Sequence, residues 1–168
     1  MRVGEKAPTF SLPDTQGAEH SPDGVTVVVF TCNHCPYALA WHERILDAAR
    51  DHPDARFLAV NPNDAERYPR DSFEAMRERV EADGGWPLPY LRDETQEVAR
   101  AYGAQTTPDV FVLDAERILR YRGAPDADYQ DPSQGAAWLR GALDAVLAGR
   151  DPDPAETRPL GCSVKWKG

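Results

Sequence analysis

Val25-Thr26-Val27-Val28-Val29-Phe30-Thr31-Cys32-Asn33-His34-Cys35-Pro36-Tyr37 decides how this chain reads. A continuous β-branched and apolar run fits a central strand buried on both faces. It ends in Cys-x-x-Cys, and helical spacing starts at once. Ala38, Trp41, Ile45 and Ala48 fall at intervals of three and four, with Leu46 and Ala49 beside them. Glu43, Arg44, Asp47 and Arg50 take the opposite, polar side. Two thiols therefore stand at a strand-to-helix junction. A free cysteine has too high a pKa to react readily at neutral pH, and unpaired N–H groups at a helix N-terminus lower it. Cys32 is expected to cap the helix and Cys35 to follow one turn on. That order predicts Cys32 as nucleophile and Cys35 as resolving thiol. His34 between them is read either as a cation that stabilises the thiolate or as a solvated loop residue.

Outward from this stretch, Arg56 to Val60 reads as a second buried strand. Strand, helix and strand in that order imply a right-handed parallel crossover. Before the stretch, Pro8, Pro13, Gly17, Pro22 and Gly24 punctuate short strands and turns, read as a hairpin. After it, Asp71-Ser72-Phe73-Glu74 has capping-box form ahead of a Phe73, Met76, Val80 stripe. Pro89 to Leu91 is a candidate short strand. Asp93 and Gln96 precede a short helix closed by Gly103. A hairpin from Val110 to Leu113 and Ile118 to Tyr121 follows Thr106-Thr107-Pro108. Asp131-Pro132-Ser133-Gln134 is expected to open the last helix, with Trp138, Leu139, Leu143, Val146 and Leu147 on its buried face. In the tail, Leu160, Cys162, Val164 and Trp166 alternate with Gly161, Ser163, Lys165 and Lys167. Alternation of this kind predicts a docked extended arm, residues 150–168, with Cys162 facing inward.

The 168 residues suit one domain, 1–168, with a real core. A composition 41% hydrophobic and 28% charged is that of an ordinary globular chain. A net charge of −9 argues against a nucleic-acid partner. No run is long and apolar enough to span a membrane, and no secretory signal is visible at the start, so a cytoplasmic location is expected. Three cysteines are too few for a disulfide scaffold. In a reducing compartment the Cys-x-x-Cys is catalytic or metal-binding. Cys32, His34, Cys35 and Cys162 would offer four soft or borderline ligands, but a closed zinc site usually has a second clustered pair, and none is present. No metal and no other cofactor is expected. His20, His42 and His52 read as surface or helix-face residues.

The order strand, Cys-x-x-Cys, helix, strand, then Thr-Pro before a hairpin and a final helix resembles the thioredoxin fold. The resemblance implies an α/β architecture: a central mixed β-sheet flanked by helices, here with an N-terminal hairpin extension and a C-terminal extended arm. It also implies that Pro108 is cis, faces the sulfurs and leaves the Thr107 backbone free for an extended substrate. Gly4-Glu5-Lys6-Ala7-Pro8-Thr9-Phe10-Ser11-Leu12 looks like the opening of peroxiredoxins of the alkyl hydroperoxide reductase/thiol-specific antioxidant family. Cys32 to Tyr37, Asn63-Asp64-Ala65-Glu66, Tyr68-Pro69, Tyr121-Arg122-Gly123 and Gly161 to Lys167 are similar to a peroxiredoxin-like subgroup that carries Cys-x-x-Cys.

Peroxiredoxins show Pro-x-x-x-Thr-x-x-Cys. Aligned here, Cys35 takes the peroxidatic position, Cys32 the threonine position and Val28 the proline position. Their active-site arginine falls at Pro108. The acid that thioredoxins bury beneath the pair falls at Thr26. The resemblance thus implies a thiol–disulfide oxidoreductase acting on a protein or small-molecule disulfide, with a thiol reductant. Two rivals stay open: a thiol peroxidase acting through Cys35, and a non-enzymatic metal-binding or interaction module. Asn61, Asn63 and Asp64 are the nearest candidates for a base. Cys162 is read as an accessory thiol or as a small residue of the docked arm. Oligomeric state is left open.

Overall fold

A computed structural model describes residues 1–168. In chain order the elements are β1 (Leu12–Pro13), β2 (Glu19–His20), β3 (Thr26–Phe30), α1 (Pro36–Asp51), β4 (Arg56–Asn61), α2 (Phe73–Ala82), β5 (Tyr90–Arg92), α3 (Glu97–Tyr102), β6 (Thr106–Thr107), β7 (Asp109–Leu113), β8 (Leu119–Gly123), α4 (Ala137–Leu147) and β9 (Cys162–Ser163). The central sheet runs β5-β4-β3-β7-β8. Strands β3, β4 and β5 are parallel, and β7 and β8 return antiparallel. The expected N-terminal hairpin is the β1–β2 pair, with Leu12 opposite His20.

The unbroken apolar run of β3 follows from its place at the centre of the sheet. Side chains alternate between faces with period two. Val27 and Val29 enter one core with Trp41, Ile45 and Leu46 of α1 and Leu139, Leu143 and Val146 of α4. Val28 and Phe30 enter the other with Ala99 and Tyr102 of α3 and Val164 of the tail. Both faces are covered, so neither register of the strand admits a polar residue. No helix is long and apolar enough to cross a membrane.

Two expectations about the helices need correction. Arg44 does not lie on a solvated side of α1. It is buried, with Nη1 at 3.1 and 3.0 Å from the two carboxylate oxygens of Asp126 and 2.9 Å from the Asp128 carbonyl. Nor does the last helix open at Asp131. Asp131 caps a single 3-10 turn, Pro132–Gln134, through the N–H of Ser133. Gly135 and Ala136 then take left-handed backbone conformations, at φ 58° and 57°. The chain breaks there because Asp126 accepts the Ala136 N–H at 2.9 Å, just ahead of α4. Asp126 also accepts the indole N–H of Trp41 at 2.8 Å. One buried carboxylate thus joins α1 to the start of α4.

The tail contacts the body along its length. Thr157 bonds Tyr121 and the Ala124 N–H, β9 pairs antiparallel with β6, and Val164 is buried. Leu160, expected to face inward, is instead exposed. The Trp166 ring lies under the Arg100 guanidinium at 4.5 Å.

Removing one partner of a buried ion pair strands the other, which typically costs about 3–5 kcal/mol. Asp126→Ala is therefore expected to lower the free energy of unfolding by about 3 kcal/mol or more, measured by urea titration. A loss under about 0.5 kcal/mol, the size of an ordinary surface change, would show that Asp126 does not hold α1 to α4.

Candidate active site

The loop Thr31–Cys35 connects the C-terminal end of β3 to α1. The residue at the N-cap of α1 is Cys35, not Cys32. Its backbone is extended (φ −79°, ψ 124°), and Pro36 follows at the first helical position. Proline suits that position because its fixed φ matches the helix and no N–H is needed there. No side chain caps the helix there, and the Ala38 N–H stands near the Cys35 sulfur. Cys32 stands one turn before the helix. The capping expectation failed because Cys-x-x-Cys-Pro offers two cap candidates, and the proline selects the second.

The thiols are gathered around one residue of β6. Cys32 Sγ lies 3.3 Å from Thr107 Oγ1, and Cys35 Sγ lies 3.1 Å from the Thr107 carbonyl oxygen. The Thr107–Pro108 bond is cis, as the resemblance implied. Both sulfurs are buried: Cys32 is 1% exposed and Cys35 0%. Cys162 is half-buried and packs on the same pair, and all three cysteines are free thiols.

The Thr107 backbone is not open, contrary to expectation. Thr107 pairs with Cys162 and Thr106 with Ser163. Its outer edge is already covered by the chain's own tail.

The His34 ring sits beside Cys32, its Nδ1 within 4.8 Å of the sulfur. Its Nδ1 lies 2.6 Å from Asp71 Oδ2, and its ring stacks on Tyr68 at 5.5 Å, nearly parallel. Asp71 is the site residue that sequence reasoning missed. It was read as part of a helix cap, but Ser72 does the capping by accepting the Ala75 N–H. The Asp71 carboxylate, fully buried, turns inward. It accepts the Asn33 N–H at 2.7 Å, the Asn61 amide at 3.1 Å and the Asn63 amide at 3.0 Å. Asn61 and Asn63, expected near a base, are thus the supports of an acid. Asp64 spends its carboxylate on the Glu66 N–H. The only hint of Asp71 in the sequence is that Asp71 and Ser72 are adjacent cap-formers where one helix start needs one.

Asn33 is held as firmly. Its side chain donates to the Arg70 carbonyl and accepts from Tyr90 OH at 2.7 Å and Arg79 Nη1 at 2.9 Å. Arg79 also reaches the Cys32 carbonyl at 3.2 Å. This is the guanidinium bonded to the loop, and it binds backbone rather than sulfur. Asp109, directly after Pro108, is a second buried acid, paired with Arg122 at 3.1 Å. Burial pushes its carboxyl above the usual range. Of the histidines expected at the surface, His42 is packed against Trp86, and burial pushes it down to about 4.

Charge within the pair is uneven. The Cys32 thiol first, then the Cys162 thiol and the backbone N–H groups of Ala38 and Cys162, bring the Cys35 pKa down to about 4 against the opposing effect of burial. The Cys35 thiol donates to the Thr107 carbonyl at 3.1 Å, which works against that lowering. Cys32 moves the other way, above the usual thiol range. It keeps its proton because its S–H is turned toward Cys35, it is buried, and Asp71 lies nearby. Cys162 is raised to about 11, first by burial and then by its bond to Cys35. Cys35 is thus the thiol of the pair whose proton is more readily lost.

Cys32 Sγ, His34 Nδ1 and an Asp71 oxygen lie within 4.8 Å of one another, the closest grouping of metal-type donors. Asp71 already accepts three N–H bonds and faces His34, so its lone pairs are largely committed. The four-ligand set Cys32, His34, Cys35 and Cys162 is not brought together as one cluster.

Fold and site together define a thiol redox protein of the thioredoxin fold. The model of the AhpC/TSA family matches residues 3–122, and the chain belongs to that family. A crystal structure of an uncharacterized conserved protein from Geobacillus kaustophilus is 39% identical, with a TM-score of 0.90, covering 99% of this chain and 93% of that one. A hypothetical protein from Sinorhizobium meliloti is 35% identical, with a TM-score of 0.90, covering 100% and 96%. Peroxidoxin BcpB from Mycobacterium tuberculosis, 20% identical with a TM-score of 0.64, covers 90% and 99% and shares the fold. A search of curated proteins finds no match.

The sign of the pH dependence follows from Cys35. The unfolded thiol titrates near 9.0 and the folded one at about 4. Between those values the unfolded chain binds the extra proton, so stability from this group rises with pH. It is complete above the unfolded value and is lost as pH falls through about 4. The ultraviolet thiolate absorbance that disappears in Cys35→Ser is expected to persist to about pH 4 and fade below it. A midpoint near 9.0 would show that Cys35 carries no standing charge.

Proposed function

We propose that the protein is a thiol–disulfide oxidoreductase working through Cys32 and Cys35. The supporting observation is that the two sulfurs bracket Thr107, at 3.3 and 3.1 Å, next to cis-Pro108. The groups that would polarise a peroxide are replaced. Val28 stands in the strand in place of a proline, and no arginine side chain donates to either sulfur.

The chemistry proceeds by two displacements. The Cys35 thiolate attacks one sulfur of a substrate disulfide, that S–S bond breaks, and the first thiolate leaves. Cys32 then loses its proton and attacks Cys35 Sγ. The mixed disulfide breaks, the second thiolate leaves, and Cys32–Cys35 closes. The substrate gains two electrons and the pair loses them; a thiol reductant restores the pair by the reverse route. The Cys32 proton passes to the leaving substrate thiolate as the pair closes. His34 holds Asp71 in place and faces the loop exterior. This order reverses the one expected from sequence, because the cap and the thiol donors converge on Cys35. A reducing cytoplasm, in which the three thiols stay free between turnovers, is the matching location.

A second reading, a thiol peroxidase, is favoured by the charge on Cys35 at the peroxidatic position. The first reading expects insulin-disulfide reduction by wild type, none by Cys35→Ser, and a trapped Cys35 mixed disulfide in Cys32→Ser. Reduction that survives Cys35→Ser removes the assignment. Stopped-flow oxidation by hydrogen peroxide, much faster than a free thiol and lost in Cys35→Ser, would give the site to the peroxidase reading.

A further inference from the structure

The chain's own tail lies in the place where the exchange reading needs an extended substrate. Residues 161–163 run antiparallel to Thr106–Thr107, with Cys162 opposite Thr107. Val164 continues the ladder by donating to the Gln105 carbonyl at 3.1 Å. The sulfur of Cys162 packs on Cys32 and Cys35 and hydrogen-bonds Cys35.

Gly161 passes so close to the cis peptide that a Cβ on it would stand 2.3 Å from the Thr107 oxygen, 2.7 Å from the Thr107 carbon and 3.2 Å from the Pro108 nitrogen. The fit therefore selects a residue without a side chain ahead of the cysteine.

On either side the tail is tied down. Upstream, the Thr157 hydroxyl binds Tyr121 and the Ala124 N–H. Downstream, the Lys165 carbonyl accepts from the Asp64 N–H and the Gln96 amide, and the Lys165 N–H donates to Asn63. Between these anchors Leu160 is exposed. With this strand in place both thiols of the pair are at most 1% exposed, so a polypeptide disulfide has no route to them.

We propose that Gly161-Cys162-Ser163 is a built-in substrate strand, which closes the site at rest and shows by its own shape what the open site takes: an extended polypeptide with glycine followed by a cysteine opposite Thr107. The inference rests on the exchange reading for the chemistry and on strand pairing for the fit. It places an incoming substrate sulfur against Cys35, the sulfur that carries the charge. A docked Cys162 keeps its proton and donates it toward Cys35, so it occupies the site without reacting. Opening the site means breaking the β6–β9 pairing while the anchors at Thr157 and Lys165 hold the tail near the body, which favours a local opening over loss of the whole arm.

The test is alkylation of the full-length reduced protein by iodoacetamide, with modification of Cys32 and Cys35 followed by peptide mass spectrometry. No disulfide is turned over, so failure of the exchange reading leaves this result standing, and the converse also holds. Gly161→Ala should raise the rate at Cys35 about tenfold, equivalent to ~1.4 kcal/mol of lost docking. Val164→Ala, which trims the buried anchor and touches no dock atom, should move it in the same direction and covers the case in which Gly161→Ala does not fold. A peptide with the sequence of residues 159–164, carrying serine in place of its cysteine, should protect Cys35 in the opened variant. The same peptide with alanine in place of its glycine should not. Equal alkylation of wild type and a folded opened variant would show that the tail is no cap. Failure of the first peptide to protect, or equal protection by both, would show that the dock does not read a glycine-led strand.

Discussion

Thr107 is the residue on which the site depends. Its hydroxyl meets Cys32, its carbonyl meets Cys35, its C-terminal bond is the cis link to Pro108, and its strand edge is paired to Cys162. Four functions converge on one peptide unit because β6 is only two residues long and sits at the entry to the hairpin β7–β8. An ordinary strand edge would face a neighbouring strand of the central sheet. This one faces the thiols on one side and the tail on the other. A shift of the Thr107 peptide would therefore alter both sulfurs and release the arm together.

The electrostatic layout follows from two opposed sources. On one side, Asp71 is a buried anion held by Asn33, Asn61 and Asn63, with His34 across it. The Cys35 partner and burial raise the pKa of Cys32, and Asp71 adds to that rise. On the other side, the helix start and two thiol donors draw charge to Cys35. Sulfurs three residues apart in sequence thus have different environments, set by which end of the loop each occupies. A thiolate with less proton affinity is a poorer nucleophile but a better leaving group. Cys35 as the first attacker and then the attacked sulfur in resolution suits a pair meant to turn over in either direction.

Much of this was legible in the sequence, and the limits have physical causes. Strands β3 and β4 and helix α1 were readable because full burial on both faces leaves unbroken apolar runs, and a sixteen-residue helix carries a strong period. The thioredoxin architecture and the cis-Pro108 came with the resemblance. The docked tail was readable from its alternation, though its placement on the dock was not. Pairing between residues 107 and 162 leaves no local trace, because strand pairing is non-local and the only mark is a glycine whose role depends on what it approaches. Asp71, Arg44 and Asp126 were misread or missed for a single reason. A polar residue at a helix start or on a helix side reads as solvated, and only tertiary structure shows that its partner is buried beside it. Asp131 misled in the converse way: its capping chemistry is real but serves one turn, and the helix waits for Asp126.

The proposed exchange chemistry rests on this placement more than on the motif. A peroxide is small and needs groups that polarise its oxygens; a disulfide exchanged with a polypeptide needs an edge to pair with and a sulfur in line. Around Cys35 the donor groups are the thiols of Cys32 and Cys162 and the backbone N–H groups of Ala38 and Cys162, with the Thr107 carbonyl accepting from Cys35 itself. Two of those four donors are themselves sulfur that can exchange, and none is a guanidinium. The charge on Cys35 is thus held by groups that become reactants when the site is used, whereas a peroxidase holds it with groups that persist through the cycle. A tail that brings one of those sulfurs into the dock on a strand is consistent with a site whose natural occupant is another chain's cysteine.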